Sequence, residues 1–242
     1  PTLLAEMRAL GVTRAVLLPI DLPGVSDNAA RFADAAAGHP ELVAFGSVHP
    51  RDPRQGDRLA AQVARGVRGV KVHPAVQLVA PEDPAAMRLY RRCGQAGVIV
   101  FWHCGPVGIE SGLGRALSQV ARYEAPIRAN PRTTFVLGHA GALQAGQALA
   151  LAKRYPNVWL ELASQGLPTI RQILAEGPAD RIVFGSDWPF YPQAIPLAKV
   201  LLATEGRPDL RRAVLHDNAA RLLASAAGPA KRQQARPAAR PP

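Results

Sequence analysis

Four stretches of this sequence end an apolar run in a side chain that can do chemistry. Val100-Phe101-Trp102-His103-Cys104-Gly105 places an imidazole directly after a β-branched and aromatic run, and Val136-Leu137-Gly138-His139-Ala140-Gly141 repeats the design. Ile182-Val183-Phe184-Gly185-Ser186-Asp187 ends in a carboxylate, and Gly69-Val70-Lys71-Val72-His73 alternates so that Lys71 and His73 share one face of a strand. Neutral imidazole is the commonest metal ligand and the usual proton carrier near neutral pH, so His73, His103 and His139 suit either task. Asp187 buried alone would be costly, and a cation or an imidazolium beside it would remove that cost. Its competing reading is a helix N-cap, since Pro189 follows; beside the histidines the catalytic reading is the stronger. Lys71 can bind a substrate carboxylate or become carbamylated and bridge two metals. Solvation or pairing with a nearby carboxylate competes with both.

Other candidates carry less. His49 precedes Pro50 and also fits a plain loop start, while His39 and His216 flank helices and are assigned no chemistry. Glu161 faces either the interior of the fold or a neighbouring helix and is kept as a supporting residue. Cys93 and Cys104 are too few and too far apart for a zinc knuckle and read as two packed thiols.

Positioning these residues requires strands that alternate with helices. Apolar β-rich runs are expected at 15–19, 43–48, 69–72, 98–102, 134–137, 158–162 and 181–184. Helices are expected at 2–10, 27–37, 54–65, 85–93, 113–123, 143–154 and 169–175, with three more (192–203, 209–215, 217–223) closing the domain. This is the pattern of a buried parallel sheet. A doubly wound sheet shares it, but chemistry-bearing residues close strand after strand here, and a barrel gathers all strand ends around one mouth. The expected fold is therefore α/β, a TIM-like (β/α)8 barrel over residues 1–225, with a disordered basic Ala/Pro-rich tail at 226–242. The seven strands count as the second to the eighth. The chain opens with Pro1 inside an apparent helix, so the first strand is expected to be missing.

Composition narrows the classes further. The net charge of +11 invites nucleic acid as a partner, but the basic residues are scattered along helices or sit in the tail, without interleaved aromatics, so no nucleic-acid partner is expected. No apolar run approaches the roughly 18 residues that span a bilayer, and no signal peptide is evident. The expectation is a cytoplasmic protein with no membrane partner.

The motifs Gly-Val-Lys-Val-His-Pro (69–74), Trp-His-Cys-Gly (102–105), Leu-Gly-His-Ala-Gly (137–141), Gly-Ser-Asp-Trp-Pro (185–189) and Asp-Asn-Ala-Ala-Arg-Leu-Leu (217–223), in this order, resemble the amidohydrolase superfamily. The likeness is to the amidohydrolase-related branch that includes aminocarboxymuconate semialdehyde decarboxylase, and it extends over nearly the whole expected domain. It implies that His103 is a metal ligand, that His139 contacts substrate or the bound water, and that Asp187 lies near the metal and acts as general base. It also implies a His-x-His pair on the first strand, which this sequence lacks. The implied cofactor is a divalent metal, zinc or else manganese, which would lower the pKa of a bound water to about 7 and polarise a carbonyl.

The expected function is hydrolysis of a C–N or ester bond, or decarboxylation, of a small carboxylated or cyclic substrate. Asp187 would move the proton, His139 would stabilise the oxyanion, and Lys71 and His73 would bind substrate, with Arg51 or Arg115 as further carboxylate contacts. The rival is a catalytically inactive barrel that binds or assembles. A metal-dependent nuclease is disfavoured by the shortage of acidic residues at strand ends. A homodimer is expected on resemblance alone.

Overall fold

The computed structural model describes residues 2–22 and 26–226. Its strands are β1 (Ala15–Leu17), β2 (Leu42–Ala44), β3 (Gly46–Ser47), β4 (Gly69–Val72), β5 (Ile99–His103), β6 (Phe135–Gly138), β7 (Val158–Glu161) and β8 (Ile182–Val183). All pairings are parallel: β1 with β2, and β3 to β8 each with the next in chain order. Between paired strands the chain returns through helix or loop, as parallel pairing requires, and the result is the TIM-like barrel expected.

The run expected to be one strand at 43–48 divides at Phe45. Leu42–Ala44 pairs with β1, Gly46 and Ser47 pair with β4, and between them the Phe45 N–H donates to the Leu17 carbonyl (2.9 Å). One extended segment thus serves two neighbours in turn. The helix expected over 113–123 is likewise broken, into Gly112–Leu117 and a 3-10 turn at Val120–Tyr123, followed by a helix at Glu124–Ala129 that the sequence reading did not anticipate. The break follows from the side chains: Ser118 Oγ turns back to the Gly114 carbonyl (2.9 Å), and the Val120 N–H donates to Gln144 Oε1 (2.9 Å) instead of continuing the helix. The expected tail lies outside the described residues beyond 226.

Alternation along the strands divides the core into two layers. Val70, Val72, Val100, Trp102, Phe135, Leu137, Leu160 and Ile182 pack outward beneath the helices. Ile99, Phe101, Val136, Trp159 and Val183 form an inner cluster with Phe45, Leu222, Leu223 and Ala226. Lys71 and His103 have the inner parity, because they stand two residues from inner positions or between outer valines.

Trp102 anchors the outer layer. It is fully buried, stacks on Phe135 (centroids 4.2 Å apart), meets Tyr90 and Tyr123 edge-on, and donates its indole N–H to Tyr90 Oη (3.2 Å). Such geometry satisfies both the ring and its polar edge. Trp102→Ala is therefore expected to cost about 3–5 kcal/mol of unfolding free energy, measurable from urea denaturation midpoints.

Candidate active site

The carboxyl ends of β4, β5 and β6 bring three imidazoles into contact. The rings of His73 and His103 stack at 3.8 Å with 9° between their planes. His103 also meets His139 edge-on, with His139 Nε2 3.2 Å from His103 Nδ1, a hydrogen bond in which one ring's N–H donates to the other. Burial holds the His73 pKa down at about 3 and pushes that of His103 lower still, with Lys71 and the neighbouring histidines adding repulsion. Both rings are therefore neutral at physiological pH.

Lys71 lies two residues before His73 on the same strand face, buried, with its Nζ 4.7 Å from the centroid of the Phe101 ring. Desolvation lowers its pKa to about 8; the negative charges of Glu161 and Asp187 act in the opposite direction and do not cancel it. Solvation of this lysine, the competing expectation, is excluded by its burial.

Asp187 follows β8 with φ 55°, half-buried, and its Oδ2 accepts from Ser164 Oγ (3.1 Å). It is not a helix cap: the next helix begins only at Ala194. Beyond Asp187, the Trp188 indole N–H (3.1 Å) and the Gln193 backbone N–H (3.0 Å) both donate to Glu6 on the first helix, Leu3–Leu10.

The segment after β7 reaches across to the loop that carries His139. Glu161, buried, accepts from the backbone N–H groups of His139 (2.9 Å) and Ala163 (2.6 Å). Gln165 Nε2 donates to the carbonyls of His139 (2.5 Å) and Ala142 (3.0 Å). On β5, Tyr123 Oη donates to the His103 carbonyl (2.7 Å). Gly105 lies against the same loop, where a Cβ would run into the Gly141 carbonyl. Ser164, Gln165, Tyr123 and Glu6 were missed by sequence reasoning, because nothing local in the chain announces a contact so distant.

The remaining candidates serve structure. His49 bridges the Gln77 carbonyl (3.0 Å) and the Arg51 N–H (3.2 Å). Arg51 pairs with Asp83 (2.7 Å), and Arg115 donates to the Gly108 carbonyl (3.3 Å), so both guanidinium groups have protein partners in place of the carboxylate proposed for them. Cys93 and Cys104 are free and buried. His216 pairs with Asp217 on the surface.

For a metal, the donor types fit and their number does not. Imidazole and carboxylate are good zinc ligands, and His139 Nδ1 is buried without a hydrogen-bond partner. Among the described residues, however, no group of three or more His, Cys, Asp or Glu side chains is arranged to hold an ion.

A family model described as Amidohydrolase matches residues 2–224. The chain belongs to the amidohydrolase family. Solved structures agree on the fold. A TIM-barrel protein of Bordetella bronchiseptica superposes with a TM-score of 0.77 at 23% identity, over 92% of this chain and 82% of its own. A 2,6-dihydroxybenzoate decarboxylase from Rhizobium gives 0.71 at 20% identity (91% and 87% covered), and a 5-carboxyvanillate decarboxylase from Sphingomonas paucimobilis gives 0.72 at 18% (92% and 82%). No curated protein sequence matches significantly. No helix among the described residues of this amidohydrolase is long and apolar enough to cross a membrane.

The stacked imidazoles give the amidohydrolase chain an acid sensitivity. In the unfolded chain His73 and His103 titrate near 6.5, whereas in the folded chain His73 titrates near 3 and His103 lower. Between those values the unfolded state binds protons that the folded state refuses, so the stability present above pH 6.5 falls as pH drops toward 3. Urea midpoints at pH 7 and pH 5 should show this loss, and His73→Asn should make it smaller.

Proposed function

We propose that this chain is an amidohydrolase-type enzyme acting on a small carboxylated or cyclic substrate, either hydrolysing a C–N or ester bond or removing CO2. The observation that carries the reading is the convergence of His73, His103 and His139 in mutual contact at the ends of β4, β5 and β6, with Lys71 on the same inner face. An apolar core has no use for three imidazoles and an ammonium; a substrate with a carbonyl and a carboxylate does.

In this reading Lys71 and His73 bind the substrate, the cation facing its carboxylate. In hydrolysis Asp187 takes a proton from the attacking water, and His139 donates to the oxygen on which negative charge develops. In loss of CO2 the C–C bond breaks with its electrons left on the substrate carbon, and that carbon takes a proton from solvent through Asp187. The names of two similar structures, both decarboxylases of aromatic acids, support carboxylated rings as first substrates. A divalent metal, zinc or else manganese, belongs to the reading. His103 and Asp187 are the donors this chain brings to it, fewer than the three that hold catalytic zinc, so another donor must join them. We further infer a cytoplasmic enzyme whose partner is its small substrate, and a homodimer.

The test is turnover of a panel of hydroxybenzoates, cyclic esters and cyclic amides, followed by CO2 release and by acid release, with zinc and manganese measured in the same protein by elemental analysis. Asp187→Asn and His139→Asn should each lower kcat/KM by about a hundredfold or more. Turnover unchanged in both variants would reject the assigned roles. Absence of both turnover and metal would favour the rival, a barrel that binds without reacting.

A further inference from the structure

His139 should not point where it does. Along β6, Phe135 and Leu137 belong to the outer layer and Val136 to the inner, so continued alternation sends residue 139 outward. The backbone instead turns left-handed at four successive positions: φ is 56° at His139, 44° at Ala140, 85° at Gly141 and 48° at Ala142. Only one of the four is glycine. L-residues hold such angles only where their surroundings over-determine them.

The surroundings here are two buried side chains from the end of β7. Glu161 accepts the N–H of the His139 peptide (2.9 Å), and Gln165 donates to its carbonyl (2.5 Å), so the residue is gripped on both sides. Each gripping side chain has a second hold. Glu161 takes the Ala163 N–H (2.6 Å), and Gln165 takes the Ala142 carbonyl (3.0 Å) at the far end of the left-handed run. Room for the carboxylate is made just after β8, where a Cβ on Gly185 would overlap Glu161 Oε1. Between the two grips, Ser164 donates to Asp187 (3.1 Å).

We propose that Glu161 and Gln165 are positioning residues, a side-chain clamp that holds His139 in its left-handed conformation and so delivers its imidazole to His103. The clamp stands on geometry alone; its consequence for turnover rests on the function proposed above. A carboxylate is required at 161 because both oxygens accept from N–H groups. In Glu161→Gln one of them becomes an NH2 facing an N–H, donor against donor. In Gln165→Ala the carbonyls of His139 and Ala142 lose their shared donor.

The experiment follows the full chain by amide hydrogen exchange and by 15N spectra of its imidazoles, in the wild type, Glu161→Gln and Gln165→Ala. The His139 amide should exchange about tenfold faster or more in each variant, while amides of β4 keep their wild-type rates, and the His139 ring resonances should shift. Should Glu161→Gln fail to fold, Gln165→Ala alone decides. With an active substrate, kcat should fall with KM little changed, as expected when a group is misplaced and binding is kept. Wild-type exchange and ring spectra at His139 in the folded variants would overturn the clamp, whatever happens to turnover. A changed His139 in a protein that turns over none of the panel would support the clamp and count against the function alone.

Discussion

Taking charged and polar side chains out of water into the interior of a barrel is the constraint on which this structure depends. An imidazole, an ammonium or a carboxylate loses its hydration there and must be neutral, paired or hydrogen-bonded. Each residue at the mouth meets the requirement differently. His73 and His103 give up protonation and stack, Lys71 is held over an aromatic face with a weakened hold on its proton, and Glu161 fills both oxygens with backbone N–H groups. These solutions depend on one another. Burial above all keeps His103 neutral, with His73, Lys71 and His139 adding repulsion, and the negative charges that keep Lys71 from losing its proton more easily are Glu161 and Asp187.

The same constraint explains why backbone groups rather than side chains carry so much of the support. Strand ends leave peptide N–H and C=O groups without ladder partners exactly where a pocket must be open, and each one left dry and unpaired destabilises the fold. The carbonyl of His103 is taken by Tyr123, both polar groups of the His139 peptide by Glu161 and Gln165, and the Gln193 N–H beyond Asp187 by Glu6. The loops at the mouth are therefore fastened by buried or half-buried polar side chains, while their tips carry exposed apolar groups such as Ile109, Leu143 and Phe190.

How much of this was legible in the sequence depends on the range of the interaction. Strands such as Gly69–Val72 and Val158–Glu161 were readable because continuous β-branched runs mark a sheet buried on both faces, and the inward face of Lys71 followed from alternation. The division of the segment around Phe45 was not, since it arises from a change of pairing partner between two other strands. His103 could be placed by parity; His139 could not, because parity gives the wrong side and the contacts that reverse it come from residues 22 and 26 positions further on. Glu6, 182 positions from Trp188, left no local trace at all.

The inner cluster has a floor, and the floor is supplied from far along the chain. Leu222, Leu223 and Ala226 join Phe45, Ile99, Phe101 and Trp159, and Arg68 Nη1 donates to the Leu223 carbonyl (3.3 Å). During synthesis every strand emerges from the ribosome before these residues do. The interior of the nascent sheet must stay wet until the helix Asn218–Ser225 is free to dock. A chain stalled short of that point would show its aromatic inner face to chaperones and to other nascent chains.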